Sequence, residues 1–451
     1  MLDVSDIQNQ RIAVLGAGRS GISVACLLAG EGGRVLLSDA VNVTFSAEQT
    51  RTLSEYGIEV ETGGHSDAIF EVDWWVISPG IPLDTPVVEK AISKSIPILG
   101  ELEVASWFCK APIIAITGSN GKSTVTAWIG KVFEEAGIPC VVAGNIGQSF
   151  ASMVNQTDEK GVAVIEVSSF QLETIQSFKP TVSIMLNLTP DHIDRHGSLL
   201  NYGKAKARIF ENQTASDLVI FNGKDGLVSA LVSETEARLA AFGVCTDEMD
   251  CAQISDGNLV LRIGGQEMAL MPVQKIGLPG EHNVSNAMAT ALTARHFGVD
   301  SDIIVHVLQT FKGLPHRMEM VRERYGVQWV NDSKATNVDS MRYALGSYDS
   351  PIVLIAGGRD KASDFTTLRD AIEPRVKAII LIGEAADKME AAFQGLCPIY
   401  REPNLGQAVK QAENMVLPGQ VVLLSPGCAS FDMFDNFEDR GNQFKELVNG
   451  L

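Results

Sequence analysis

Short apolar runs recur along the 451-residue chain, and most of them end in a Gly, Ser, Asn or Asp turn that leads into an amphipathic helical stretch. The apolar residues are continuous and do not alternate with polar ones, which indicates strands that are buried on both faces. Such strands belong to parallel sheets covered by helices, so we predict an α/β fold. Ligands of these folds bind beyond the carboxyl ends of the strands. The runs begin at Ile12, Val35, Trp74, Ile113, Val162, Val182, Leu218, Ile352, Ala378 and Val421.

The length and two changes of pattern predict three domains. A new strand-and-loop unit begins at Ala111, directly after residues 99–110, and a second boundary falls near the KGLP stretch of residues 312–315. We therefore predict domains over residues 1–101, 102–313 and 314–451. The stretch of residues 244–272 alternates weakly, which indicates a small antiparallel part of the middle domain.

The net charge indicates which partners to expect, and the cysteines indicate the cellular compartment. The chain has 36 basic and 55 acidic residues, a formal net charge of -19. Nucleic acids and anionic membrane surfaces would repel such a chain, so we expect neither as a partner. The seven scattered cysteines contain no CxxC pair and indicate reduced thiols in a cytoplasmic protein. We expect no signal peptide and no membrane insertion, because no apolar stretch approaches the ~18 residues of a membrane helix.

The first nucleotide-binding candidate is GAGRSG, residues 16–21, which follows the run at Ile12 and precedes a helical stretch. Its glycines permit a tight turn that brings backbone N–H groups close to a pyrophosphate, and Asp39 ends the next strand. A nicotinamide or flavin, another nucleotide, and a purely structural loop all remain open. The motif indicates a diphosphate and does not by itself indicate hydride transfer.

The second candidate is ITGSNGKST, residues 116–124, between an apolar strand and a helical stretch. It resembles a P-loop in which Lys122 reaches the β- and γ-phosphates and Ser123 or Thr124 ligates Mg²⁺. It departs from the usual pattern because Ile116 occupies the first glycine position. The alternative is a glycine-rich turn with a surface lysine.

Three further residues are candidate metal ligands. Glu166 in VIEVSSFQLE and His192 in LTPDHIDRHG each follow an apolar strand, so both side chains can project toward the phosphate loop. A carboxylate and an imidazole there would bind Mg²⁺ and offset charge in phosphoryl transfer. Lys206 lies in NYGKAKARIF, where a lysine is usually solvated, but near a metal it could react with CO₂ to form an anionic carbamate. Turn hydrogen bonding is the alternative for the first two.

Four turn-rich loops after strands are dense in groups that bind carboxylates and phosphates, and all of them fall in the last 140 residues. A basic side chain held in such a loop makes a stronger contact than an exposed one. Loop capping is the alternative for each, but four such loops in one domain favour a binding site. The candidates are Arg317, Asp332, Lys334, Thr336, Lys361, Ser430, Phe431 and Phe437.

Together these motifs resemble the Mur ligase family, and in particular its D-glutamate-adding branch. The similarity spans nearly the whole chain and includes TGSNGKST, EVSSFQLE, TPDHIDRH, YGKAKARIF, GEHNVSNAMA, GLPHRME, NDSKATN and SPGCASFDMFDNFEDRG. It implies a Rossmann-like UDP-binding domain, a central P-loop ATPase-type domain with a mostly parallel sheet, and a Rossmann-like amino-acid-binding domain. It also implies a monomer that acts in peptidoglycan precursor synthesis, a process tied to cell shape and division.

The resemblance further implies a role for individual residues. It assigns ATP to Gly118, Ser119, Asn120, Gly121, Lys122, Ser123, Thr124, Asn283, Asn286, Arg317 and Asp332. It assigns two magnesium sites to Ser123, Glu166, His192 and a carbamylated Lys206. It assigns the UDP substrate to Gly18, Arg19, Ser20, Asp39, Ser78, Gly80 and Asn145, with Ala40 and Val41 where relatives often have polar uracil contacts. It assigns D-glutamate to Lys361, Ser430 and Phe431, with Lys334, Thr336 and Phe437 close by.

The implied reaction is the ATP-dependent addition of D-glutamate to UDP-N-acetylmuramoyl-L-alanine through an acyl phosphate. Folylpolyglutamate synthase belongs to the same wider family, but it begins with its phosphate loop and lacks the N-terminal glycine loop seen here. An NAD-dependent dehydrogenase would leave the loop at Lys122 unexplained. A P-loop regulatory or motor NTPase would hydrolyse ATP without an amino acid.

Overall fold

The computed structural model describes residues 2–145, 147–246, 248–360 and 363–451. Contacts between Cα atoms divide the chain into two compact units. The first comprises the residues up to Leu188 together with Leu200–Gln274 and Asn286–Leu308. The second comprises Thr189–Leu199, Lys275–Ser285 and Gln309–Leu451. The predicted limits of the three domains remain predictions.

The N-terminal sheet has five parallel strands in the order β3-β2-β1-β4-β5. Because β1 pairs with both β2 and β4, the strand order reverses at β1, where folds of this class bind ligands. The strands are β1 (Arg11–Leu15), β2 (Arg34–Asp39), β3 (Glu59–Thr62), β4 (Trp74–Ile77) and β5 (Ile98–Gly100). The helices are α1 (Arg19–Gly30), α2 (Ala47–Glu55), α3 (Pro86–Ser93) and α4 (Glu101–Ser106).

The central sheet has nine strands in the order β14-β13-β12-β11-β10-β9-β6-β8-β7. Its strands pair in parallel from β7 to β12, and β12, β13 and β14 pair antiparallel. The predicted antiparallel part is therefore confirmed, and it extends the main sheet. The strands are β6 (Ile113–Thr117), β7 (Cys140–Gly144), β8 (Val162–Glu166), β9 (Val182–Met185), β10 (Leu218–Asn222), β11 (Arg238–Phe242), β12 (Asp250–Ser255), β13 (Asn258–Ile263) and β14 (Gln266–Pro272).

Eight helices follow or connect these strands in the described part of the chain. Helix α8 and the first residues of α11 belong to the second compact unit. The helices are α5 (Lys122–Glu135), α6 (Phe150–Met153), α7 (Ser169–Leu172), α8 (Ile193–His196), α9 (Leu199–Ala207), α10 (Gly226–Val232), α11 (Glu281–His296) and α12 (Ser301–Thr310).

The C-terminal sheet has six strands in the order β15-β16-β20-β17-β18-β19, and only β15 runs antiparallel to its neighbour. Helices α13 to α15 pack on one face, and α16 and α17 pack on the other. The strands are β15 (Glu319–Arg324), β16 (Val327–Asn331), β17 (Ile352–Gly357), β18 (Val376–Ile382), β19 (Ile399–Arg401) and β20 (Val421–Leu424). The helices are α13 (Val338–Gly346), α14 (Arg369–Ile372), α15 (Ala386–Phe393), α16 (Leu405–Met415) and α17 (Phe437–Asn449).

The α/β prediction is confirmed, and all ten apolar runs form strands. The prediction that every cysteine is a thiol is wrong at one place, because Cys245 and Cys251 form a disulfide with their Cα atoms 5.4 Å apart. The six-residue separation gave no signal for this pairing. Among the described residues, every helix is too short or too polar to cross a membrane.

Candidate active site

The loop between β6 and α5 has a backbone that requires glycine at two positions. Gly118 has φ +145° and Gly121 has φ +87°, both in the region that L-residues rarely adopt. A Cβ at Gly121 would lie 2.6 Å from Oδ1 of Asn286, so space is restricted as well. The loop leads into the N-terminus of α5, where unpaired N–H groups and the helix dipole favour an anion. Asn286, which the resemblance assigns to the same ATP site, thus lies next to this loop.

Lys122 is the first residue of α5 and folds back over this loop. Its Nζ donates hydrogen bonds to the carbonyl oxygens of Gly118 at 2.8 Å and Ser119 at 2.9 Å. The positive charge is therefore held at the mouth of the loop. The hydroxyl-bearing Ser123 and Thr124 follow in the first turn of the helix and are buried.

The predicted loop is braced by Asn187, a residue that the sequence did not single out. Asn187 follows β9, and its Oδ1 accepts a hydrogen bond from the backbone N–H of Asn120 at 2.8 Å. Its Nδ2 donates to the carbonyl of Asn120 at 3.0 Å. The backbone N–H of Ser119 also donates to the carbonyl of Asn187 at 2.9 Å. The only signal in the sequence was a polar residue at the end of the apolar run that begins at Val182.

Glu166 ends β8 and is only 2% exposed. It pairs in register with Ile116 on one side, next to the phosphate loop, and with Gly144 on the other. Its Oε1 accepts a hydrogen bond from Nδ2 of Asn145 at 2.8 Å. A buried carboxylate thus lies at the carboxyl end of β8, beside the end of β6 that leads into the loop before Lys122.

Lys206 is a buried residue of α9, with 1% exposure, although a lysine in a polar helix is normally solvated. Its Nζ lies 3.5 Å from Oγ1 of Thr117 and 4.5 Å from the centre of the Tyr202 ring. The Thr117 hydroxyl donates in turn to the carbonyl of Val167, the residue after Glu166. Thr117 therefore connects Lys206 to the ends of β6 and β8.

The side chains around the carboxyl ends of β6 and β8 suit a small hard cation, because Ser123 and Glu166 offer oxygen ligands. In the described part of the chain, no three His, Cys, Asp or Glu side chains are grouped closely enough to hold a metal by themselves. A cation bound here would need further oxygens, such as those of a phosphate, which is how Mg²⁺ is usually held. The predicted number of metal sites remains a prediction.

The N-terminal glycine loop is closely packed at the reversal point of its sheet. A Cβ at Gly21 would lie 1.8 Å from the carbonyl oxygen of Gly16, and a Cβ at Gly16 would lie 2.7 Å from Oγ of Ser78. Asp39 accepts hydrogen bonds from the backbone N–H groups of Ala17 at 2.7 Å and Val41 at 3.0 Å. Ser78 and Asp39 thus both contact the glycine loop or its flanks.

Other predicted ligands of the UDP substrate surround this loop. Gly18 is the N-cap of α1, and Arg19 and Ser20 begin the helix. The guanidinium of Arg19 donates a hydrogen bond to the carbonyl of Gly147. Gly147 lies two residues beyond Asn145, so the loop after β7 contacts α1 in the first compact unit. Gly80 follows β4 in the turn after Ser78.

In the second compact unit, Asp332 is a buried carboxylate at the end of β16. It accepts hydrogen bonds from Oγ of Ser425 at 2.9 Å and from the backbone N–H of Met318 at 3.2 Å. Burial raises its pKa to about 7, although the nearby positive charge of Arg317 acts in the opposite direction. Arg317 and Asp332 are therefore brought together, as the sequence grouped them.

The loops that carry the candidate amino-acid ligands converge on a buried arginine. Arg440 donates to Oγ of Ser333 at 2.9 Å, to the carbonyl of Ser333 at 2.8 Å and to the carbonyl of Cys428 at 3.2 Å. Ser333 lies between Asp332 and Lys334, and Cys428 lies two residues before Ser430. The sequence did not identify this role, because a lone arginine in a helix carries no signal of burial.

The C-terminal candidates differ in their surroundings. Nζ of Lys334 lies 5.2 Å from the centre of the Phe437 ring, and Thr336 donates its backbone N–H to the carbonyl of Lys334. Ser430 is buried, whereas Phe431 is 63% exposed, which is unusual for a large aromatic side chain. Lys361 lies outside the described residues.

His192 and Asn283 also belong to the second compact unit. His192 is the N-cap of α8 with φ +53°, and its backbone N–H donates to Oδ1 of Asp191 at 3.0 Å. Asn283 donates from Nδ2 to the carbonyl of Pro279 at 2.7 Å. Because Glu166 and Lys206 belong to the first unit, a metal site shared with His192 remains a prediction.

Family models match three consecutive segments of the chain. The N-terminal domain of MurD-like Mur ligases matches residues 10–100, the Mur ligase middle domain matches residues 116–294, and the glutamate ligase domain of Mur ligases matches residues 316–428. The chain belongs to the Mur ligase family. This membership confirms the family that the sequence motifs indicated, with its three domains in the predicted order.

The relatives of this Mur ligase include named enzymes of similar length. The chain is 42% identical to UDP-N-acetylmuramoylalanine–D-glutamate ligase of Salinibacter ruber, over 99% of both chains. It is 40% identical to the enzyme of the same name from Pelotomaculum thermopropionicum, again over 99% of both chains.

Among solved structures, UDP-N-acetylmuramate–alanine ligase of Thermotoga maritima superposes with a TM-score of 0.62 at 19% identity, covering 98% of this chain and 100% of that one. MurF of Acinetobacter baumannii gives 0.63 at 16% identity, covering 100% and 93%. The structural likeness shows the shared fold.

Proposed function

We propose that this Mur ligase adds D-glutamate to UDP-N-acetylmuramoyl-L-alanine at the expense of ATP, in peptidoglycan precursor synthesis. The observation that carries the proposal is the 40–42% identity to enzymes named UDP-N-acetylmuramoylalanine–D-glutamate ligase over 99% of each chain. The glycine-rich loop with Lys122 at a helix N-terminus supplies the matching chemistry.

ATP would activate the substrate carboxylate, because a carboxylate has too poor a leaving group to react with an amine in water. The carboxylate oxygen attacks the γ-phosphorus, the bond to the β-phosphate oxygen breaks, and an acyl phosphate and ADP result. The D-glutamate amine, after losing a proton, attacks the acyl carbon to give a tetrahedral intermediate. That intermediate collapses to the amide and inorganic phosphate.

The phosphate loop would stabilise the first of these steps. Lys122 already lies over the loop carbonyls, from which its ammonium can turn toward the β- and γ-phosphates. Backbone N–H groups at the start of α5 would add fixed dipoles aimed at the same oxygens. The proposed ATP-binding set is Gly118, Ser119, Asn120, Gly121, Lys122, Ser123, Thr124, Asn283, Asn286, Arg317 and Asp332.

Mg²⁺ fits the oxygen donors at the ends of β6 and β8. We assign Ser123, Glu166, His192 and a carbamylated Lys206 as its protein ligands, at two sites. When bound, Mg²⁺ would screen the negative charge of the phosphates during transfer. Lys206 is buried beside Thr117 and has the enclosed position that a carbamate requires. Carbon-13 NMR after equilibration with labelled bicarbonate should detect a carbamate that is absent from Lys206→Arg.

The two remaining substrates would be held by loops that follow strands. For the UDP substrate we assign Gly18, Arg19, Ser20, Asp39, Ser78, Gly80 and Asn145. For D-glutamate we assign Lys361, Ser430 and Phe431, supported by Lys334, Thr336 and Phe437. All the reactants are anionic and the chain carries a formal charge of -19, so local cations must offset their repulsion.

The deciding experiment measures phosphate release from ATP and UDP-N-acetylmuramoyl-L-alanine with a panel of D- and L-amino acids. We expect release that depends on D-glutamate. Turnover without any amino acid would favour a P-loop NTPase, and glutamylation of a folate in its place would favour a folylpolyglutamate synthase. Nicotinamide binding without ATP hydrolysis would favour a dehydrogenase. We further propose that the enzyme is a cytoplasmic monomer, which fractionation and light scattering test.

A further inference from the structure

The loop after β7 is fixed against the end of β8 by close backbone contacts. Gly144 pairs in register with Glu166, and the backbone N–H of Asn145 donates to the carbonyl of Glu166 at 2.9 Å. A Cβ at Gly144 would lie 2.3 Å from that carbonyl oxygen, and φ of Gly144 is +108°. The two chain segments are therefore so close that only glycine fits at position 144.

This backbone arrangement places the Asn145 amide directly beside the Glu166 carboxylate. Nδ2 of Asn145 donates to Oε1 of Glu166 at 2.8 Å. The amide nitrogen is the donor and the carboxyl oxygen is the acceptor. A buried carboxylate needs such donors, since burial of a charged oxygen without compensation is costly.

We infer that Asn145 is a positioning residue for the metal ligand Glu166, in addition to its proposed contact with the UDP substrate. This inference rests on the proposed function, in which Glu166 ligates Mg²⁺. The amide holds Oε1 and so restricts the rotation of the carboxylate. Hydrogen-bond partners of metal ligands orient the ligand, and their removal typically weakens metal affinity about 10- to 100-fold.

The same loop also contacts the N-terminal glycine loop, through the bond from Arg19 to the Gly147 carbonyl. Only one residue separates Gly147 from Asn145 in the sequence. The segment from Gly144 to Gly147 thus links the proposed UDP-binding loop to the proposed metal ligand. Asn145 is the residue in this segment whose side chain bonds the Glu166 carboxylate.

The test is a titration of the full-length protein with Mn²⁺, followed by electron paramagnetic resonance, with a non-hydrolysable ATP analogue and without the UDP substrate. Asn145→Leu keeps the approximate size of the side chain and removes the donor, and Asn145→Ala serves if the leucine variant fails to fold. We expect Mn²⁺ affinity to fall about tenfold in both. A role in substrate binding alone predicts wild-type Mn²⁺ affinity, because the UDP substrate is absent.

Two further variants distinguish a wrong positioning role from a wrong metal assignment. Asn258→Ala removes an asparagine from the start of β13 and should retain wild-type Mn²⁺ affinity. Glu166→Gln should weaken Mn²⁺ binding at least as much as the Asn145 variants. If Glu166→Gln weakens binding but neither Asn145 variant does, the positioning role is wrong and the metal assignment stands. If Glu166→Gln also binds Mn²⁺ normally, the metal assignment in the proposed function is itself wrong.

Discussion

Asn187 and Asn120 are joined by two hydrogen bonds, one in each direction between the Asn187 amide and the Asn120 backbone. The amide of Asn187 bonds both the N–H and the carbonyl of Asn120, as a paired residue of a neighbouring strand would. The backbone of Asn187 accepts a third bond from Ser119. The end of β9 therefore fixes the backbone of this loop.

Asn187→Ala should weaken ATP binding by removing both side-chain bonds from the loop. Each hydrogen bond contributes about 1 kcal/mol net, so the two together predict a loss of affinity of about 10- to 30-fold. Isothermal titration with ADP measures the change. Asn258→Ala, at the start of β13, is the control and should bind ADP normally. Wild-type affinity in Asn187→Ala would show that the backbone bond from Ser119 alone fixes the loop.

The fold was predictable from the sequence mainly where strands are buried on both faces. Those strands lie inside their sheets, and burial on both faces selects a continuous apolar run. The strands that the runs did not reveal include β3 and β19, which lie at sheet edges, and β15, which is an antiparallel edge strand. An edge strand is partly solvated, so its residues need not form an apolar run. In β3, Glu59 and Val60 are both exposed.

The candidate site was predictable to the extent that it lies in loops after parallel strands, because those loops meet at one edge of a sheet. Asn187 and Arg440 were not predictable, because their roles depend on partners 67 and 107 residues away in the sequence. Pairing with a distant backbone leaves no local pattern. The link between Thr117 and Lys206 has the same origin, since 89 residues separate them.

Lys122→Ala should remove a preorganised charge that stabilises the transition state of phosphoryl transfer. Loss of one such donor typically costs ~3–4 kcal/mol, or a factor of at least about 100 in kcat. The measurement is D-glutamate-dependent formation of ADP. The matched control is Lys131→Ala on the same helix, because Lys131 forms its ion pairs with Glu134 and Glu135 on the surface. A loss of only a few-fold in Lys122→Ala would contradict the role assigned to this lysine.

Gly21→Ala should destabilise the N-terminal sheet and its glycine loop. The added Cβ would lie 1.8 Å from the carbonyl oxygen of Gly16, and a backbone atom cannot rotate away as a flexible side chain can. Overpacking of this kind costs about 1–3 kcal/mol. We expect a lower melting temperature and weaker binding of the UDP substrate. Gly18→Ala is the control for stability, because its Cβ would meet no atom within 4 Å. Equal melting temperatures for the two variants would contradict the steric argument.

The final prediction concerns Glu101, the first residue of α4, which is buried against α6 and α7. Its carboxylate accepts a hydrogen bond from the backbone N–H of Ala151 at 3.3 Å and is also hydrogen-bonded to the Gln171 side chain. Burial raises its pKa from 4.5 to about 7 despite these bonds. Between these values the folded protein keeps a proton that the unfolded chain releases, so the contribution of Glu101 to stability falls as the pH rises through this window.

Glu101→Gln should abolish this fall in stability with pH, because glutamine stays uncharged. Its side chain can still form hydrogen bonds with Ala151 and Gln171. The variant should resemble the wild type below about pH 4.5 and should be more stable by up to about 3 kcal/mol above pH 7, which is the free energy equivalent of the pKa shift. Melting temperatures of both proteins at a series of pH values measure the difference. Glu89→Gln, at an exposed position of α3, is the control and should show no such trend. A difference between Glu101→Gln and the wild type that does not change with pH would contradict the prediction, since only titration of Glu101 makes the two curves diverge.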